Sequence, residues 1–259
     1  MVEDLGKVSG GESRRNGSTS KHNRNNSNSM VVNSHGNMYL YHTKCNSKSW
    51  MGTYRSMMDH YKEHGWVIIP NVFSQKDLDI MSDWGYNLRL EWQKHSTWKG
   101  IPCAGRWSQP LTEIYTSDTM KDISTQILGT PHLFNDQMVY KLPNDGMDFV
   151  PHYDNQYSIR NKSNDIHTVN LSIIIDDFTR DSGALFIKSD DEWHTVLPNR
   201  GDIVAINGST LHASHENRSD KPRGLYACVY TEAPMEMQGY YSEPFTGTQK
   251  NIKLFENNA

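Results

Sequence analysis

Apolar residues along this chain follow two different rhythms, and the change between them falls near residue 130. Upstream, Met51, Tyr54, Met57, Met58 and Tyr61 recur at helical spacing, and Gly65 stands where a helix would stop. The run Trp66-Val67-Ile68-Ile69 then reads as a strand. Ser74 and Asp77 occupy N-cap and N3 positions for a second helix, whose apolar stripe is Leu78, Met81, Trp84, Leu88 and Trp92. Gly100, Pro102, Gly105 and Pro110 give residues 94–116 the character of a long loop, and 118–129 predict a short helix ending at Gly129. Downstream come short apolar runs, at 133–142, 167–176, 184–188, 202–206 and 224–231, separated by turn residues. Helices followed by many short strands predict a mainly β domain with flanking helices, built as a double-sheet jelly roll.

Composition narrows the function classes. From about Ser9 to Ser49 the chain is rich in Ser, Asn, Gly and Arg and poor in apolar residues. Such a segment buries too little surface to offset its ordering entropy. Residues 1–49 are therefore expected to be a disordered tail and 50–259 one domain. With 26 basic and 30 acidic residues the formal charge is −4, so a broad electrostatic grip on nucleic acid is not expected. Three cysteines, Cys45, Cys103 and Cys228, fit neither a disulfide framework nor a CxxC zinc site, and a reducing compartment is the simpler reading. A signal peptide pattern and a membrane-length apolar run are both lacking, so a cytoplasmic protein without membrane contact is expected.

The candidate chemistry lies among the strands. In Pro151-His152-Tyr153-Asp154 an imidazole and a carboxylate flank one residue, and on a strand residues two apart share a face. Alone, that pair is weak. His212, in Thr210-Leu211-His212-Ala213-Ser214, adds the third member of a two-His-one-carboxylate triad, the donor set of non-haem Fe(II) sites with open positions. Placing His215 in that role would put it on the opposite strand face. Arg223 follows across a turn, where an antiparallel return would bring its guanidinium to the metal end to hold a carboxylate bidentately. Ser214 shares the face of His212 and can donate to the same carboxylate. A dicarboxylic 2-oxo acid such as 2-oxoglutarate needs this arrangement.

These residues also carry a family resemblance. Gly201-Asp202-Ile203-Val204, Leu211-His212-Ala213-Ser214, Asn217-Arg218-Ser219-Asp220 and Pro222-Arg223 together resemble the C-terminal signature of the phytanoyl-CoA dioxygenase-like family. His60 to Val72, Asp136 to Lys141, Asp176-Asp177 and Gly183-Ala184-Leu185 are similar to earlier parts of it, so the resemblance spans roughly 50–233. It implies a double-stranded β-helix (distorted jelly roll, cupin-like) using Fe(II), 2-oxoglutarate and O2. Oxidative decarboxylation of 2-oxoglutarate to succinate and CO2 would be coupled to hydroxylation of a C–H bond in a small-molecule substrate. His152, Asp154 and His212 match its iron ligands, Arg223 and Ser214 its co-substrate anchor, and Gln137 a further co-substrate contact. Related halogenases carry Gly or Ala in place of the carboxylate, so Asp154 speaks against chlorination. The family's Pro-Gly-Ser-His stretch is represented only by Lys188 to His194, and the insertion after it is missing, which implies a differently roofed pocket. Candidate substrate contacts are Arg106, Trp107, Tyr153, Gln156 and Tyr157. A protein side-chain hydroxylase on the same fold, or a non-catalytic jelly-roll module retaining a metal, are the alternatives.

Overall fold

The structure, a computed structural model, describes residues 57–97, 100–157 and 166–234, with short strand segments at 29–32, 38–41, 236–237, 240–241 and 243–244. Strands β1 (Ser29–Val32) and β2 (Met38–Tyr41) pair antiparallel, while most of the expected tail lies outside the described residues.

Helix α1 covers 57–64 and stops at Gly65, whose φ of 77° is open to glycine. Strand β3 (Trp66–Ile69) follows, then α2 (Gln75–Trp92), capped as its sequence predicts: Ser74 Oγ accepts from the Asp77 N–H. Leu78 and Met81 of α2 are buried, but Trp84, expected in the core stripe, is exposed. The stretch read as loop holds β4 (Ile101–Pro102), a 3-10 turn at Ala104–Trp107 and α3 (Gln109–Tyr115). Its Pro110 falls in the first turn of α3 behind the N-cap Ser108, where a missing N–H costs nothing. Helix α4 (Asp118–Leu128) ends at Gly129.

The strands that follow are β5 (His132–Lys141), β6 (Phe149–His152), β7 (Thr168–Ile174), β8 (Leu185–Ser189), β9 (Glu192–Val196), β10 (Ile203–Asn207), β11 (His212–Ser214) and β12 (Arg223–Thr231), with short β13 (Glu236–Met237), β14 (Tyr240–Tyr241) and β15 (Glu243–Pro244). They build a major sheet in the order β15-β5-β12-β7-β10-β3, with β4 also on β5, and a minor sheet in the order β6-β11-β8-β9. Every pairing is antiparallel.

Strand alternation then sorts the core into two layers. On one face of the major sheet, Leu171, Ile173, Ile203, Ala205, Tyr226 and Cys228 pack against Tyr61, Met81, Leu111 and Met120 of the helices. On the other, Val139, Ile174, Val204, Ile206 and Leu225 meet Leu185, Ile187 and Val196 of the minor sheet. Each fully buried side chain of this kind contributes about 1.5–3 kcal/mol. This is the mainly β jelly roll with helices on one side that the sequence predicts.

Candidate metal centre

The minor sheet brings the two histidines together directly. His212 of β11 is the register partner of His152 at the end of β6, and their ring centroids lie 4.3 Å apart. Asp154 is reached differently from the strand argument: the chain leaves β6 after His152, and Asp154 opens a 3-10 turn over Asp154–Tyr157. That turn places Asp154 Oδ1 3.9 Å from His152 Nε2 and 3.8 Å from His212 Nε2. Potential ligand atoms of all three residues fall within 4.8 Å of one another, and this is the one such group among the described residues.

The backbone fixes which ring nitrogen faces inward. His152 Nδ1 donates to the carbonyl of Val150 at 2.8 Å, and His212 Nδ1 to that of Thr210 at 3.0 Å. In its neutral form each ring thus presents Nε2 as the acceptor. Burial, and then the neighbouring His212, hold the His152 imidazole below its ordinary pKa, so it stays neutral and ready to ligate. The turn carrying Asp154 is anchored from behind, where the Asn155 N–H donates to the Gly208 carbonyl at 3.1 Å and Thr168 Oγ1 bonds Asn155 Oδ1.

The triad borders a cavity between the sheets, walled by Val139, Phe149, Leu185, Ile206, Leu225 and Ala227, with Gln137, Asn170, Ser172 and Ser214 as polar lining. Beyond Val139 and Leu225, the next inward pair on β5 and β12 is Lys141 and Arg223, register partners and both fully buried. Lys141 Nζ donates to Ser214 Oγ at 2.8 Å and to the His215 carbonyl. Arg223 Nε donates to the Ser182 carbonyl at 3.1 Å and Nη2 to that of Gly183, its guanidinium carbon lies 4.0 Å from the Phe178 ring centroid, and Nη1 is buried without a partner among the described residues. Burial pulls the Arg223 pKa down to about 9, still above neutrality, so the group remains cationic.

A family model for phytanoyl-CoA dioxygenase matches residues 61–189 and 187–225, together well over half of the chain. The chain belongs to the phytanoyl-CoA dioxygenase family. No curated protein matches it. Among solved structures, it is similar in fold to the epimerase SnoN from nogalamycin biosynthesis in complex with Fe3+, alpha ketoglutarate and nogalamycin RO (TM-score 0.60, 15% identity, 76% of this chain and 88% of that one). It also resembles the non-heme alpha ketoglutarate dependent carbocyclase SnoK from the same biosynthesis (TM-score 0.61, 17% identity, 71% and 85%). A third likeness is to EctD from S. alaskensis with 2-oxoglutarate and 5-hydroxyectoine (TM-score 0.58, 15% identity, 70% and 77%). At these identities the likeness is one of fold.

In this member of the phytanoyl-CoA dioxygenase family, the site residues expected from the sequence fall into three groups. The triad, Gln137 and Ser214 meet at one cavity. Arg223 reaches the same end of the sandwich by another route than expected: the turn after β11 crosses to the major sheet, so β12 is no hairpin return of β11. Among the substrate candidates, Trp107 and Tyr153 are exposed and absent from the cavity lining, and the side chains of Arg106, Gln156 and Tyr157 lie outside the described residues. His215 faces away from the triad and packs edge-on against Phe186 at 4.6 Å. His167 bonds Tyr61 and Asn207, and His194 the Ser189 carbonyl. Lys141 is the functional candidate that sequence reading missed. Its one signal was a cation ending an apolar strand, which ordinarily reads as solvent-facing.

No helix among the described residues is long and apolar enough to cross a membrane.

Proposed function

We propose that this chain is an Fe(II)- and 2-oxoglutarate-dependent oxygenase that hydroxylates a C–H bond of a small molecule. Family membership supports a dioxygenase, and the reading of metal and co-substrate rests on the fit of the residues to them. Two imidazole nitrogens and one carboxylate oxygen form a donor set suited to Fe(II) with positions left open. An Fe(II) ion held there would supply the site at which a 2-oxo acid and O2 react.

The observation that carries the co-substrate is the buried pair Lys141 and Arg223. Two cations lie side by side inside the sandwich, and among the described residues no ion pair to a carboxylate engages Arg223. An orphaned guanidinium Nη1 in such a place asks for an anion. Ser214 stands two residues along β11 from His212, roughly 6.6 Å at strand rise. That span suits a dicarboxylate whose 2-oxo end meets the metal and whose distal end meets Ser214, Lys141 and Arg223. Apolar walls line much of the same volume.

The test is succinate formation from 2-oxoglutarate by Fe(II)-loaded protein under air. It should be measurable above the metal-free control and fall to background in His152→Ala and Asp154→Ala. Full turnover in either variant would refute the assignment. Screening candidate metabolites for stimulation of that turnover, with product mass increased by one oxygen, tests hydroxylation against other oxidative outcomes.

A further inference from the structure

Strand β7 should be uniformly apolar on both faces, because helices cover one side and the minor sheet the other. Its helix-side residues Val169, Leu171 and Ile173 obey that rule, and so does the inward Ile174. Asn170 and Ser172, also inward, break it. An amide and a hydroxyl buried without bonds would each cost about 1–3 kcal/mol, so their partners matter. Ser172 Oγ donates to Asn170 Oδ1 at 3.0 Å, and Asn170 Nδ2 donates to Asp154 Oδ2 at 3.1 Å. Only one amide orientation satisfies both bonds, since the flipped amide would set its oxygen against the carboxylate. The other oxygen of Asp154, Oδ1, is the one that faces both imidazoles.

We propose that Asn170 is a positioning residue that confines Asp154 to ligation through Oδ1 alone, with Ser172 locking the amide that does so. This rests on the metal reading above. A carboxylate free to turn about its terminal torsion offers both oxygens to a divalent ion. Bidentate ligation would take one of the three positions that a chelating 2-oxo acid and O2 require. Holding Oδ2 in a hydrogen bond removes that mode. A neutral amide achieves this without adding charge beside the ligand, as a lysine or arginine in its place would.

The experiment replaces Asn170 by Leu, nearly isosteric but without the donor, and reads the metal directly. Co(II) titration should show an affinity and a visible spectrum both changed from wild type, as expected of a further oxygen ligand, and 2-oxoglutarate affinity, read anaerobically from the charge-transfer band of the Fe(II) complex, should fall on the order of tenfold. Asn170→Gln, which keeps an amide, should recover part of both signals. Ser172→Ala should give the same changes at smaller size, and it carries the test if Asn170→Leu does not fold. Wild-type metal affinity, Co(II) spectrum and 2-oxoglutarate affinity in folded Asn170→Leu would overturn the proposal. Absence of the charge-transfer band in wild type would instead overturn the co-substrate reading, and the Co(II) titration would still decide the role of Asn170.

Discussion

Replacing Arg223 by methionine should separate two quantities that usually move together, the stability of the ligand-free protein and its affinity for 2-oxoglutarate. The guanidinium is 1% exposed, and its Nη1 lacks a partner, a deficit of about 1–3 kcal/mol in the folded state. Methionine would remove that orphan and keep an apolar contact with Phe178, while the Ser182 and Gly183 carbonyls would lose their donor. Replacing a buried charge by an apolar group of similar volume is often neutral. The ligand-free variant should therefore stay within about 2 kcal/mol of wild type, a shift of only several degrees in Tm. Binding should behave otherwise. Truncating one side of a buried charge pair costs roughly 2–5 kcal/mol, so the co-substrate Kd should rise about 30-fold to several-thousand-fold. Anaerobic melts of metal-loaded protein with and without 2-oxoglutarate read both effects. Wild type should gain about 2.7 kcal/mol at a ligand concentration a hundred times Kd, and the variant should gain less than about 1 kcal/mol at that concentration. A variant destabilised by more than about 4 kcal/mol that binds 2-oxoglutarate at wild-type affinity would refute the reasoning and make Arg223 a structural cation.

Three further outcomes are expected. Lys141→Met, which removes a fully hydrogen-bonded group where the Arg223 change removes an orphan, should lower the stability of the ligand-free protein by roughly 1–3 kcal/mol in urea, because the half-buried Ser214 hydroxyl and the His215 carbonyl lose a charged donor; unchanged stability would contradict the role of that bond network. Gly100→Ala would bring a methyl group to 2.2 Å from Gln137 Nε2, so the Gln137 side chain must move while the fold is spared; 2-oxoglutarate turnover should change with Tm nearly constant, and unaltered turnover would show that Gln137 plays no part. His60 is held at a pKa of about 4 by burial first and His64 second, with Glu63 and Asp190 opposing and His194 adding to the shift. The unfolded chain therefore takes up this proton first, so stability is complete above about pH 6.5 and declines as pH falls toward 4. His60→Gln should flatten that part of the urea-midpoint profile, and an identical slope in the variant would dismiss the assignment.

The ligand triad was legible because an imidazole and a carboxylate two residues apart, followed by a distant histidine, is a rare order of residue types. What the sequence hid was the means: Asp154 arrives through a 3-10 turn, whereas same-face geometry had suggested a continuous strand. Strands β3, β5, β7, β10 and β12 of the major sheet, and β8 of the minor one, were legible from their apolar runs, while β4, β6, β9 and β11 are short or half-polar and gave no such run. Helix α3 was concealed by Pro110, which reads as a breaker in sequence yet sits in the first turn of a helix. Trp84 follows the helical period of α2 but lies at the margin of its buried face, where a wide ring remains exposed. Lys141, Asn170 and Ser172 are polar residues within apolar runs, and their partners come from strands distant in sequence. Pattern alone cannot supply those partners.

Each imidazole tautomer is set by the backbone, because each Nδ1 proton rests on a carbonyl two residues upstream in its own segment. Inherited sequence drift can rewrite every wall of the cavity without disturbing that arrangement, provided the short strands keep their path. On the proposed reading, the hold on the metal and the choice of substrate would thereby be separable traits, free to evolve at different rates.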